Sequence, residues 1–131
     1  MKKHGILQHE LAHVIATLGH TDSLVIADAG LPIPQGVQRI DLAVTGGIPR
    51  FADVVCAVLD EAQVERAVIA REMRVKSPAL HAELMALLDS IPVDEVSHDE
   101  FKHMTQQARA VVRTGEFTPY ANVILISGVV F

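Results

Sequence analysis

The sequence predicts an α/β fold: a single three-layer domain over residues 1–131, with a mostly parallel central sheet and helices on both faces. Three observations carry this. Short continuous apolar runs alternate with segments whose apolar residues recur every three or four positions, the pattern of strands interleaved with amphipathic helices. Half of the residues are hydrophobic, yet only 4% are aromatic and none is Trp, so Val, Ile, Leu and Ala must build the core, as suits strands buried on both faces. At 131 residues, with no repeat, low-complexity stretch or linker, one domain is expected, burying roughly two-thirds of its unfolded surface.

Along the chain, Ile6, Leu7, Leu11, Val14, Ile15 and Leu18 fall at helical spacing, and Gly19 stands where that helix would stop. Ser23–Asp28 is a buried strand, followed by a Gly- and Pro-rich loop, "AGLPIPQG". Arg39–Val44 is a second extended segment, broken by "TGGIP". From Arg50 to Asp60, Phe51, Val54, Val55, Val58 and Leu59 again fit a helix, with Pro49 near its first turn. Val64–Ala70 is a strand. Ser77 and Pro78 are expected as N-cap and first residue of the next helix, whose stripe is Leu80, Leu84, Leu87 and Leu88. "PVDEVS" is a short strand. Ser97 or His98 caps a further helix, and "AVVRTG" and "NVILIS" are two last strands joined by "EFTPYA".

Composition removes several function classes. A net charge of −5 with no basic cluster argues against nucleic-acid binding, and few aromatic rings remain for stacking on single strands. No apolar run approaches the ~20 residues of a membrane span, and no signal-peptide h-region follows the two N-terminal lysines. The single Cys56 forms no internal disulfide, which fits a reducing cytoplasm. The high apolar fraction also suggests surface covered by sister subunits.

Two stretches compete for the chemistry. "HELAH" (His9–His13) fits H-E-x-x-H, in which two histidines one turn apart hold zinc and the glutamate activates water. A zinc peptidase needs a third protein ligand. Ala16 stands where the extended motif requires Gly, and Gly19 and His20 do not continue it. Glu61, Glu65 and Glu72 are candidates for that ligand with nothing to single one out. Eight residues before His9 are too few for the sheet that walls such a cleft, so the motif reads as a solvated helix face and no metal is expected.

The second stretch is "GHTDSLVIADAGLPIP". His20 follows a helix stop, and Asp28 ends a strand, where open α/β sheets collect ligands. Asp22 is spaced to orient the His20 imidazole or simply to cap the turn. Near the C-terminus, Arg113, Glu116, Thr118, Tyr120 and Asn122 offer polar groups to a polyol, with Pro119 fixing the backbone before Tyr120.

These blocks, with "MKKHGIL", "RIDLAV", "HDEFK" and "RTGEFTPYANVILISGVVF", closely resemble the D-ribose pyranase and fucose mutarotase family, the ribose branch in particular, from Met1 to Phe131. HELAH lies outside the resemblance. The resemblance implies an isomerase that interconverts ring forms of ribose, feeding ribose to phosphorylation, with no metal or organic cofactor. It implies His20 as proton donor, and Asp28, His98, Tyr120 and Asn122 as sugar contacts. It also implies ring-shaped homo-oligomers, a decamer of two pentameric rings in ribose pyranases, with sites near subunit boundaries. Asp28 is open to two roles, base or holder of a hydroxyl. The rival functions are a fucose-type mutarotase and a non-catalytic sugar-binding subunit.

Overall fold

A computed structural model describes residues Met1–Phe131. The elements run α1 (His9–Thr17), β1 (Ser23–Ala27), β2 (Gln38–Asp41), α2 (Phe51–Leu59), β3 (Val64–Ala70), α3 (Arg71–Lys76), α4 (Pro78–Leu88), β4 (Val93–Val96), α5 (His98–Met104), a 3-10 turn (Thr105–Gln107), β5 (Ala110–Arg113) and β6 (Val123–Ser127). The six strands form one sheet in the order β2-β5-β1-β6-β3-β4. All neighbours are parallel except β6, which runs antiparallel to both β1 and β3.

Strand residues alternate between two cores, as the two-residue period of a strand requires. Leu24, Ile26, Ala67, Ile69, Ala110, Val112, Val123 and Leu125 face one side, where Leu11 and Val14 of α1, Phe51, Val55 and Val58 of α2, and Leu80, Leu84 and Leu88 of α4 cover them. Val25, Ala27, Val68, Ala70, Val111 and Ile124 face the other, covered by Phe101 of α5 and by Leu31. Burial on both faces explains why the strands read as continuous apolar runs, and it produces the three layers expected from the sequence.

Local signals set most boundaries, with some differences. The Gln8 side chain caps α1 by accepting from the Leu11 amide at 2.7 Å, so the helix begins at His9. Leu7 therefore lies in the extended lead-in and is 69% exposed, outside the expected stripe. β2 ends at Asp41 and leaves the sheet there, so Val44 is exposed rather than in a strand. Ser97, not His98, caps α5, accepting from the Glu100 amide at 3.1 Å. Ser77 stands at the N-cap of α4 as expected, but its hydroxyl makes no cap bond. It donates to the Pro119 carbonyl at 2.7 Å instead. Helix α3 has no signature in the sequence because it buries only Met73 and so carries no apolar stripe.

Candidate functional site

Because β6 is antiparallel, its start lies beside the ends of β1 and β3. Asp28 follows β1, His98 follows β4 and Ser97, and Tyr120 and Asn122 precede β6, so all four stand along one edge of the sheet. Asp28 and Asn122 are bound reciprocally. The Asp28 amide donates to Asn122 Oδ1, and Asn122 Nδ2 donates to Asp28 Oδ2, each at 2.9 Å. The Gly30 amide donates to the other carboxylate oxygen at 2.9 Å. Asn122 is fully buried, so these bonds satisfy a side chain that could not otherwise leave water. Asp28 is half-buried and keeps further acceptor capacity at the rim of a cleft of about 500 Å³, which Arg113, Glu116 and Thr118 also line.

Tyr120 has φ +62°, a left-handed conformation that is rare for a bulky residue and persists only when its surroundings over-determine it. The determinants are on either side. Ser77 holds the Pro119 carbonyl, and the Asn122 amide donates to the Tyr120 carbonyl at 2.8 Å. In this pose the Tyr120 ring meets the His98 ring edge-on, with centroids 5.1 Å apart and planes at 85°. Glu72 accepts the His98 amide through both carboxylate oxygens, at 3.0 and 3.2 Å. Its carboxyl sits below the usual range, chiefly through backbone hydrogen bonding at Glu72 itself, with the His98 amide and the His98 and Arg71 charges adding to this against burial. His98 Nδ1 is buried with no hydrogen-bond partner.

The other polar groups expected to meet a polyol are committed to structure. Arg113 forks onto Asp41 at 3.2 Å and donates to the Ala29 carbonyl at 3.0 Å. Glu116 accepts the Phe51 amide at 3.1 Å, serving as N-cap to α2 in place of Arg50, which makes no side-chain cap bond. It also accepts the Thr118 hydroxyl at 2.7 Å. Burial pushes the Glu116 carboxyl up, but the hydrogen bonds from Thr118 and Phe51 and the Arg50 charge outweigh it and hold it below the usual range. Gly115 makes this loop possible: a Cβ there would sit 2.4 Å from the Ile48 carbonyl oxygen.

His20 is elsewhere. It lies before β1, on the opposite edge, and the five residues of β1, about 16 Å of extended chain, stand between it and Asp28. Its Nε2 is 3.0 Å from the Glu65 carboxylate on β3. Asp22 does not orient it: that carboxylate accepts the Gly19 amide at 2.8 Å and lies 3.8 Å from Arg109 Nε. Thus the structure brings together Asp28, His98, Tyr120 and Asn122 within the chain, and leaves His20 apart. His13 is exposed on α1, and no three His, Cys, Asp or Glu side chains converge as a metal site. Glu61, Glu65 and Glu72, the carboxylates weighed for HELAH, bind Ile6 and Lys2, His20, and His98 respectively.

Comparison with known proteins decides the family. The sequence profile described as the RbsD / FucU transport protein family matches residues 1–130. The chain belongs to that family. Among its RbsD/FucU relatives, the D-ribose pyranase of Coprothermobacter proteolyticus is 58% identical over 131 residues, covering 100% of both chains. That of Laribacter hongkongensis is 56% identical, again over 100% of both. The structure of Bacillus subtilis RbsD complexed with D-ribose superposes with a TM-score of 0.97 at 49% identity, covering 100% of each chain. No helix is long and apolar enough to cross a membrane.

Proposed function

We propose that this chain is an isomerase that interconverts the pyranose and furanose forms of D-ribose, supplying ribose for phosphorylation. Full-length identity to proteins named D-ribose pyranase supports the reaction, and likeness to a ribose-bound relative supports the sugar. The observation that carries the binding half is the cluster of Asp28, Asn122, Tyr120 and His98 with its unpartnered Nδ1.

The chemistry is small. A cyclic hemiacetal opens when the anomeric hydroxyl loses a proton and the ring oxygen gains one. The open aldehyde rotates, and attack by O4 closes a furanose while attack by O5 closes a pyranose. No carbon changes oxidation state overall. Histidine suits the proton carrier because its ordinary pKa, about 6.5, lies near working pH. In this reading His20 carries the proton, His98, Tyr120 and Asn122 grip hydroxyls, and Asp28 takes a further hydroxyl on its free lone pairs.

His20 stands too far from that cluster to serve it within one chain. The reading therefore has His20 of one subunit completing the pocket of a neighbour, as in the ring-shaped homo-oligomers of the family, a decamer of two pentameric rings. Exposed Val129, Val130 and Phe131 beside His20, and Phe117 beside the Asp28 cleft, support apolar contacts there. The whole chain acts as one domain, in the cytoplasm. The test is NMR exchange between ribose ring forms. The wild type should accelerate exchange and His20→Ala should not, with binding of ribose retained; acceleration by His20→Ala at the wild-type rate would refute the assignment.

A further inference from the structure

The sheet carries an irregularity beside His20. Val64 pairs with Ser127 and Arg66 with Ile126, so Glu65 is the extra residue of a β-bulge. Glu65 and Arg66 are consequently both exposed, where regular alternation would turn one of them inward. Bulges re-aim side chains, and this one directs the Glu65 carboxylate onto His20 Nε2. Gly128 leaves room for it: a Cβ there would lie 3.0 Å from Glu65 Cβ.

The histidine is held to meet it. The amide of Thr21, which has φ +68°, donates to the Ser127 carbonyl at 2.9 Å, and the Ser127 amide returns a bond to Asp22 at 2.8 Å. The turn carrying His20 is thereby stitched to β6 next to the bulge. A cleft of about 350 Å³ opens beside it, lined by His20, Glu61, Ser127 and Phe131 among others. The carboxylate that lines that cleft, Glu61, is engaged with Ile6 and Lys2, and Asp22 with Gly19 and Arg109, which leaves Glu65 as the partner of the imidazole.

We propose that Glu65 is a positioning residue for proton transfer: its carboxylate holds His20 Nε2–H and leaves Nδ1 as the nitrogen presented to the sugar. The inference rests on the assignment of His20 above. With the proton fixed on Nε2, Nδ1 of neutral His20 accepts the proton of the anomeric hydroxyl. The imidazolium then returns that proton from Nδ1 to the ring oxygen as the bond from C1 to the ring oxygen breaks and the C1 carbonyl forms. One proton moves from the anomeric oxygen to the ring oxygen, and the imidazole is regenerated. Carboxylate orientation of a histidine through its distal nitrogen is a recurring device for fixing which nitrogen reacts.

The test compares Glu65→Ala, Glu65→Gln and Glu65→Asp in ribose exchange, with His20→Ala as reference. The Gln oxygen still reaches Nε2–H, whereas Asp keeps the charge but is one methylene short. Glu65→Ala and Glu65→Asp should lose about tenfold in kcat with KM within about twofold, a part of the 10²–10⁴ that a positioned acid or base supplies. Glu65→Gln should recover most of the rate. Because the site is at the surface, Tm should stay within about 2 °C. Wild-type kcat in Glu65→Ala with a slow His20→Ala overturns the role of Glu65 alone, as does an Asp variant faster than Gln. A fast His20→Ala overturns the catalytic assignment itself, and Glu65 with it.

Discussion

The two edges of the sheet are built differently. At the Asp28 edge the polar groups are tied to one another: Asp28 and Asn122 hold each other, Ser77 holds Pro119 and Glu72 holds the His98 amide, while the buried His98 Nδ1 has no partner. At the His20 edge a 55%-exposed imidazole meets one 41%-exposed carboxylate. The first is held in place by its own hydrogen bonds, which fits the binding role proposed for it. The second is an exposed imidazole on a turn stitched to β6, which in the proposed reading carries the proton once a neighbouring subunit covers it. If binding and proton transfer are divided between these edges as proposed, the two are separable by mutation.

The largest expected effect tests the exposed edge. His20→Ala should lower exchange by 10²–10³-fold, within the range of general acid–base catalysis, while stability stays within about 0.5 kcal/mol because the side chain packs against little. Exchange kinetics and thermal melts together check both halves. Asn122→Ala should behave in the opposite way. It leaves the Asp28 amide and carboxylate with unpaired buried bonds, costing about 2–4 kcal/mol in denaturant unfolding and raising the ribose KM at least about tenfold. An Asn122→Ala protein as stable as wild type would break the contrast between the edges.

Ser77→Ala is the finer probe of the Asp28 edge. Its hydroxyl is buried and spent on Pro119, so its loss should cost about 1–2 kcal/mol and weaken ribose binding through Tyr120, with kcat less affected than KM. The smallest effect concerns Glu116. Its carboxyl is held below the ordinary range in the folded state, so its contribution is complete above the unfolded pKa of about 4.5 and fades as pH falls through the folded value. Glu116→Gln should therefore be about 1 kcal/mol less stable near pH 7, the size of a helix cap, and the gap should close on acidification below pH ~4. A gap that widened in acid would contradict the capping role.

Much of this was legible in the residues. The alternation of apolar runs with helical stripes gave the three layers, because periodicity reports which face is buried. It reports nothing about direction, so the antiparallel β6, which brings Tyr120 and Asn122 to the Asp28 edge, had no signature. Asp28 was legible as the polar end of an apolar run. The full set of site residues came from family resemblance, and four of the five assemble within the chain. Glu65, Glu72 and Ser77 were illegible as partners because each acts across a long stretch of chain, on His20, His98 and Pro119. Asp22, close in sequence to His20, was the natural candidate to orient it, yet the bulge in β3 gives that place to Glu65.

Where His20 of one subunit serves the Asp28 edge of another, two differently disabled subunits restore each other when mixed. His20→Ala and Asp28→Asn proteins, each slow alone, are unfolded together, refolded at equal ratio and assayed for ribose exchange. Recovery to about a quarter of the wild-type rate is expected, since random assembly gives that share of pockets both intact residues. A mixture no faster than its components would contradict that arrangement.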